Sequence, residues 1–200
     1  KRFVSWHQDS TYWGLSSPDV MTIWVALSPS NPKNGVMRVV AKTHKQEQIV
    51  HKDTFAEDNL LTRGQEVDLV VNESDAVNMS LEPGEVSLHH VKLVHGSAAN
   101  ESDSRRIGLA IRLISTHVRQ TAGPRDYATL VLGQDLHKNF EYERAPIKTL
   151  GQEEIKEHLR INELNKKILY RNTTDKQDDV KRRSLKAVSK KTKTYIYGAN

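Results

Sequence analysis

The feature that most limits what this chain can fold into is the punctuation of residues 1–135: short runs rich in β-branched and aromatic residues, each cut off by turn chemistry. "VMTIWVALS" (Val20 to Ser28) is such a run. "NPKNG" (Asn31 to Gly35) follows as a hairpin-type turn, and "VMRVV" (Val36 to Val40) as the next strand. "EVDLVV" (Glu66 to Val71) reads as another short strand, and "LEPGEVSLHH" (Leu81 to His90) as a Pro-Gly turn leading into one. "RRIGLAIRLI" (Arg105 to Ile114) alternates cleanly, and "YATLVL" (Tyr127 to Leu132) reads as a last edge strand. With little helix between them and no internal repeat, these segments predict a mainly β fold, an antiparallel sandwich or barrel.

Near Pro146 the pattern changes. "GQEEIKEHLRINELNKKILY" (Gly151 to Tyr170) spaces Ile155, Leu159, Ile161, Leu164, Ile168 and Leu169 as a helix does. Glu153 and Glu154 fall in the first turn and Lys166, Lys167 and Arg171 near the end, as the helix dipole favours. An amphipathic helix docked on the body or on a neighbouring subunit is expected. Three segments follow: a β core over 1–150, the helix over 151–171 and a tail over 172–200.

The net charge of +5 belongs to the last segments. Residues 151–200 hold 13 of the 30 Lys and Arg and 7 of the 25 Asp and Glu, which leaves the first 150 near neutrality at −1. "VKRRSLKAVSKKTK" (Val180 to Lys193) carries seven bases and no acid, which fits a solvated tail or a weak polyanion site. No nucleic-acid function is expected of the body. No apolar run is long enough to cross a bilayer, and no signal-like stretch opens the chain. With no cysteine there is no disulfide and no thiolate ligand, so any metal falls to His, Asp or Glu and a reducing, cytoplasmic setting is expected. The sequons at Asn72, Asn78, Asn100 and Asn172 are accordingly read as chance. Lys1 reads as the middle of a strand, which raises the expectation that part of the domain lies upstream.

The chemistry lies in "SWHQDSTYW" (Ser5 to Trp13) and "LHHVKLVHGS" (Leu88 to Ser97). On a strand, His7 and Asp9 point the same way, so they either chelate one ion or are two polar residues on a wet face. Any one of His89, His90 and His95 would complete two histidines and a carboxylate, the facial set of non-haem Fe(II) oxygenases. In "RRIGLAIRLI" one face carries Ile107, Leu109, Ile111 and Leu113, and the other Arg106, Gly108, Ala110 and Arg112. Small residues beside arginine suit the inside of a barrel, with a guanidinium fork placed to hold a carboxylate; a surface arginine beside a turn is the plainer alternative.

Taken in order, "VSWHQDSTYWG", "TIWVALSPSNPKNGVMRVV", "LEPGEVSLHHVKLVHGS" and "RRIGLAIRLI" resemble the phytanoyl-CoA dioxygenase family of Fe(II)/2-oxoglutarate oxygenases, from about Val4 to Arg125. The shared elements are HxD, a Trp seventeen residues after its His, the Asn-Gly turn, HGS, and an Arg eleven residues after the distal His. The resemblance implies a double-stranded β-helix (jelly-roll, cupin-like) with Fe(II) held by His7, Asp9 and His95. It implies Arg106 on the distal carboxylate of 2-oxoglutarate, and Trp24 and Ser97 lining the cosubstrate site. The eleven-residue interval selects His95 over His89 and His90. Tyr12, Trp13 and His89 are candidates to contact substrate, and each also reads as an ordinary core residue.

The implied reaction is hydroxylation of a C–H bond of a small molecule, with O2 consumed and succinate and CO2 released. Asp9 favours this over halogenation, where related enzymes carry a small residue instead. One departure is "VVAKTHK", which keeps His44 but lacks the Pro-Gly the family has before it. Two rivals come from other classes: a non-oxidative metal-binding cupin-like lyase, isomerase or binding module, and an anionic-surface binder acting through the tail. The helix and tail also suit a homodimer.

Overall fold

In a computed structural model, residues 1–171 and Thr173 are described, and the chain divides into two compact units, Lys1–Leu169 and Tyr170–Asn200. The basic run Val180–Lys193 and the sequon at Asn172 lie outside the described residues. In chain order the first unit runs β1 (Val4–His7), α1 (Ser10–Trp13), β2 (Val20–Ala26), β3 (Met37–Val40), β4 (His51–Asp53) and β5 (Gln65–Val67). It continues with β6 (Ala76–Asn78), β7 (Val86–His90), β8 (His95–Ser97), β9 (Gly108–Ile114), β10 (Tyr127–Ala128), β11 (Glu141–Tyr142) and α2 (Gln152–Leu169).

Two antiparallel sheets carry the architecture, one ordered β1-β8-β3-β6 and the other β7-β2-β9. Together they make a double-stranded β-helix, with the small β4–β5 and β10–β11 pairs attached. Apolar side chains between the layers, among them Val36, Met37, Val39, Val67, Val91, Val94 and Val118, form the core.

The β7-β2-β9 sheet is polar inside. Thr22, Ser87 and His89 are buried on its inner face. Met21, Val86, Leu88, Leu109 and Ile111 point outward and are 41–59% exposed. Register puts Gly108, Ala110 and Arg112 of β9 on the same face as Thr22, as the sequence suggests, although only Ala110 of the three is half-buried and Gly108 and Arg112 are exposed.

Three local expectations need correction. The Asn31–Gly35 turn does not close a hairpin, because β2 and β3 lie in different sheets. Asn31 and Asn34 do build the turn: the Asn31 side chain accepts from Lys33 N (3.0 Å) and Asn34 Oδ1 accepts from Asn31 N (2.9 Å). The chain leaving it crosses to the other layer. The strand expected over 66–71 stops at Val67, and Val70 is 96% exposed. The strand expected over 127–132 is two residues long and pairs parallel with β11.

Helix α2 docks on the body through its second half. Ile168 is buried against Gly123, and Arg63 donates to the Leu169 carbonyl, whereas Ile155 and Leu159 face solvent. Among the described residues no helix is long and apolar enough to cross a membrane.

Candidate metal centre

Strand β1 delivers His7 opposite His95 of β8, after an irregularity in register between Val4 and His7. A bulge of this kind re-aims a side chain without breaking the sheet. Gly96 allows the approach: a Cβ there would sit 3.0 Å from the Val4 carbonyl and 3.2 Å from Ser5. Asp9 follows two residues on, just before the short helix α1. One ligand-type atom from each of His7, Asp9 and His95 falls within 4.8 Å of the others. Two donors bound at about 2.1 Å to one ion stand at most about 4.2 Å apart, so a small closure suffices for a common metal.

The protonation pattern suits a cation. His7 Nδ1 contacts the Ser5 carbonyl (2.9 Å) and His95 Nδ1 the Leu93 carbonyl (2.8 Å). A carbonyl only accepts, so each Nδ1 carries a hydrogen and each Nε2 is the nitrogen left for a metal. Burial pushes the His95 imidazole well below its ordinary range, and the neighbouring His7 charge adds to the shift. Burial alone would raise the Asp9 carboxyl, but the His7 hydrogen bond and the charges of His95, His7 and Arg112 together hold it well below the usual carboxylate range. A neutral imidazole beside an ionised carboxylate is what metal ligation requires.

A second group assembles on the same inner surface. The Arg106 guanidinium lies 5.6 Å from the Trp24 ring centroid and 3.5 Å from Ser97 Oγ. Trp24 lies over Gly108, where a Cβ would fall 2.0 Å from the ring. Ser28 steadies the approach, accepting from Ile107 N (2.8 Å) and donating to the Arg105 carbonyl (3.0 Å). Among the described residues no carboxylate lies within 4 Å of Arg106, which leaves its fork open to an acidic ligand.

The three remaining candidates separate. His89 stands beside the ligands, its ring 5.0 Å from that of His95. Trp13 stacks on the guanidinium of Arg112 at 5.5 Å. Tyr12 turns into the interior between His51 (5.6 Å) and the Arg63 guanidinium (4.9 Å), with Asp53 close by. His44 pairs with His90, rings 5.8 Å apart.

Sequence reasoning passed over two residues that hold the ligands. Gln8, fully buried between His7 and Asp9, donates to the Lys92 carbonyl (2.7 Å) and accepts from Ile49 N (2.9 Å). His51 Nε2 accepts from the Gln8 backbone N–H (2.9 Å), while its Nδ1 contacts the Ile49 carbonyl (2.8 Å). The only signal for Gln8 was its place: the middle residue of HxD points to the opposite face, where a glutamine must find partners.

The chain is similar to known proteins over part of its length. The family model for phytanoyl-CoA dioxygenase (PhyH) matches residues 2–108. A probable alpha-ketoglutarate-dependent hypophosphite dioxygenase of Stutzerimonas stutzeri is 29% identical over 110 residues, 54% of this chain and 38% of that protein. A probable phytanoyl-CoA dioxygenase of Caenorhabditis elegans is 27% identical over 101 residues, 50% of this chain and 32% of that protein. Among solved structures, the apo form of the non-heme monooxygenase ThoJ is 31% identical with a TM-score of 0.72, over 84% of this chain and 60% of that one. The chain thus spans about a third of the length of the curated relatives it matches.

Proposed function

We propose, from the premise that this chain belongs to the phytanoyl-CoA dioxygenase family, that it acts as an Fe(II)- and 2-oxoglutarate-dependent oxygenase that hydroxylates a C–H bond of a small organic substrate. One observation carries the reading. One ring nitrogen each of His7 and His95 and the Asp9 carboxylate come together from β1, the turn after it and β8, with the open Arg106 fork on the same inner surface.

The residues fit these groups. His7, Asp9 and His95 form the two-histidine, one-carboxylate set that would hold a non-haem Fe(II). Arg106, steadied by Trp24 and Ser97, takes the distal carboxylate of 2-oxoglutarate in a bidentate pair. When bound, iron, 2-oxoglutarate and O2 supply the oxidising chemistry, with succinate and CO2 as coproducts. The protein's work is placement. The Ser5 and Leu93 carbonyls fix the two imidazole tautomers, and Gln8 anchors the segment that carries His7 and Asp9. Asp9 fills the position that a halide would need, which favours hydroxylation over halogenation.

The test is binding and turnover with one variant. The chain is expected to bind Fe(II) and to consume 2-oxoglutarate only with the metal. Asp9→Ala is expected to lower metal affinity by more than ~100-fold and to abolish that consumption. A wild-type chain that binds neither metal nor 2-oxoglutarate, or an Asp9→Ala chain that keeps both, refutes the reading.

A further inference from the structure

The inner wall holds polar groups that neither the metal set nor the Arg106 group uses. Thr22 Oγ1 and His89 Nδ1 are buried without a hydrogen-bond partner, with Thr22 only 2% and His89 only 5% exposed. Such groups are rare in native interiors, because each costs the full desolvation of its polar atom. They are neighbours. His89, Thr22 and Arg112 form one row across the sheet, with Thr22 directly opposite both of the others. Opposed residues of this kind share a face and bring their Cβ atoms to about 5 Å.

Arg112 completes the row with a charge. One face of its guanidinium is covered by Trp13, at 5.5 Å, and among the described residues no carboxylate lies within 4 Å of it. Its one hydrogen bond is a long contact of 3.4 Å to the Ala110 carbonyl. The row ends beside the metal set, because the His89 ring lies 5.0 Å from that of His95. Arg106 lies six residues back on the same strand line, about 20 Å along the backbone, and touches Ser97 instead. The two guanidiniums therefore serve opposite ends of the inner surface. Arg106 faces the cosubstrate end, and Arg112 faces the end that remains for substrate.

We infer that Arg112, Thr22 and His89 form a carboxylate-recognition subsite for the substrate, with Trp13 as the wall that holds the guanidinium edge-on; this rests on the metal and cosubstrate reading above. The Arg112 fork pairs with both carboxylate oxygens, Thr22 Oγ1 donates to one of them, and His89 adds an N–H from the wall. The substrate class is a small organic acid whose reacting carbon projects from its carboxylate towards the metal set.

The test uses the full chain loaded with Mn(II) and 2-oxoglutarate, and 4-fluorobenzoate with its uncharged analogue 4-fluorobenzamide as probes, followed by fluorine NMR. The wild type is expected to bind the acid at least ~10-fold more tightly than the amide, the ratio typical of a hydrogen-bonded charge pair. Manganese should broaden the fluorine line of the bound acid. Arg112→Gln is expected to raise the Kd of the acid at least ~10-fold and to change that of 2-oxoglutarate less than two-fold, while Arg112→Lys recovers part of the loss. Thr22→Val, which keeps the shape and removes the hydroxyl, should weaken the acid without touching 2-oxoglutarate.

Equal binding of acid and amide by the wild type overturns the inference whether or not any variant folds. So does an Arg112→Gln chain that loses 2-oxoglutarate instead of the acid, since Arg112 would then belong to the cosubstrate. Failure of the wild type to bind Mn(II) and 2-oxoglutarate is a different result, and it falls on the proposed function.

Discussion

Replacing Gly108 by alanine tests the cosubstrate end without touching any group that contacts a ligand. The added Cβ would stand 2.0 Å from Trp24 Cζ2, 2.3 Å from Cε2 and 2.8 Å from Cη2. Carbon atoms pack at about 3.5–4.0 Å, so the indole must retreat by roughly 1.5 Å. Overpacking of this kind costs about 1–3 kcal/mol, offset by the ~0.5–1 kcal/mol that alanine gains over glycine within a strand. Trp24 lies beneath the Arg106 guanidinium at 5.6 Å, so its retreat takes the support from that fork. Displacements near 1 Å in a positioned group cost up to ~100-fold, and the Kd of 2-oxoglutarate is expected to rise about 10- to 100-fold. Metal affinity should hold, since His7, Asp9 and His95 ride on β1 and the turn after it and on β8. Titration calorimetry of the Mn(II)-loaded chain with 2-oxoglutarate reads the first quantity, and calorimetry with the metal alone reads the second. Leu109→Ala, one residue on and facing outward, serves as the control with unchanged 2-oxoglutarate affinity. A Gly108→Ala chain that binds 2-oxoglutarate as the wild type does would refute the packing argument and, with it, the role given to Trp24.

Two further outcomes follow from the support around the metal set. Gln8→Leu strands the Ile49 N–H and the Lys92 carbonyl, each costing about 1–3 kcal/mol, so urea unfolding should show a loss of roughly 2–5 kcal/mol together with a weakened metal site; an unchanged midpoint would contradict this. The apo chain should lose stability as pH falls below about 6.5 and change little above it, because His95, His89 and His51 are held neutral by burial in the fold but protonate when unfolded. Over that window the unfolded chain binds more protons, so stability rises with pH. Urea midpoints between pH 5 and pH 8 that stay level or rise toward acid would refute the assignment.

The site was legible where its chemistry is carried by strand period and by short spacing. The strand period paired His7 with Asp9 on paper, but β1 ends at His7 and Asp9 lies in helical backbone at the start of α1, so the turn rather than the pleat brings them together. The inward side of β9 could be chosen because glycine and alanine beside arginine suit a cavity. What stayed hidden depends on partners distant in sequence. The Asn31–Gly35 turn chemistry specifies local backbone angles, which serve a hairpin and a crossover between sheets equally, so the sequence could not say which. Strand β5 ends at Val67 although "DLVV" continues apolar, because ladder partners rather than propensity decide where a strand stops. Gln8 and His51 gain their roles only when the Gln48–His51 segment folds back over β1, about 40 residues away.

The inverted polarity of the β7-β2-β9 sheet ties these points to stability. A domain of this size ordinarily turns the apolar face of a sheet inward, yet here Thr22, Ser87 and His89 are inside and Leu88 and Leu109 outside. Unpartnered Thr22 Oγ1, Ser87 Oγ and His89 Nδ1 each cost about 1–3 kcal/mol, a sizeable share of the ~5–15 kcal/mol that separates folded from unfolded chains. A core selected for stability alone would carry valine or leucine at these positions. A ligand that satisfies them recovers that cost and also stabilises by mass action, so metal, diacid and organic acid should raise the melting temperature in successive increments. The increment from the organic acid should vanish in Arg112→Gln while the first two persist, because that acid alone reaches the row of Arg112, Thr22 and His89.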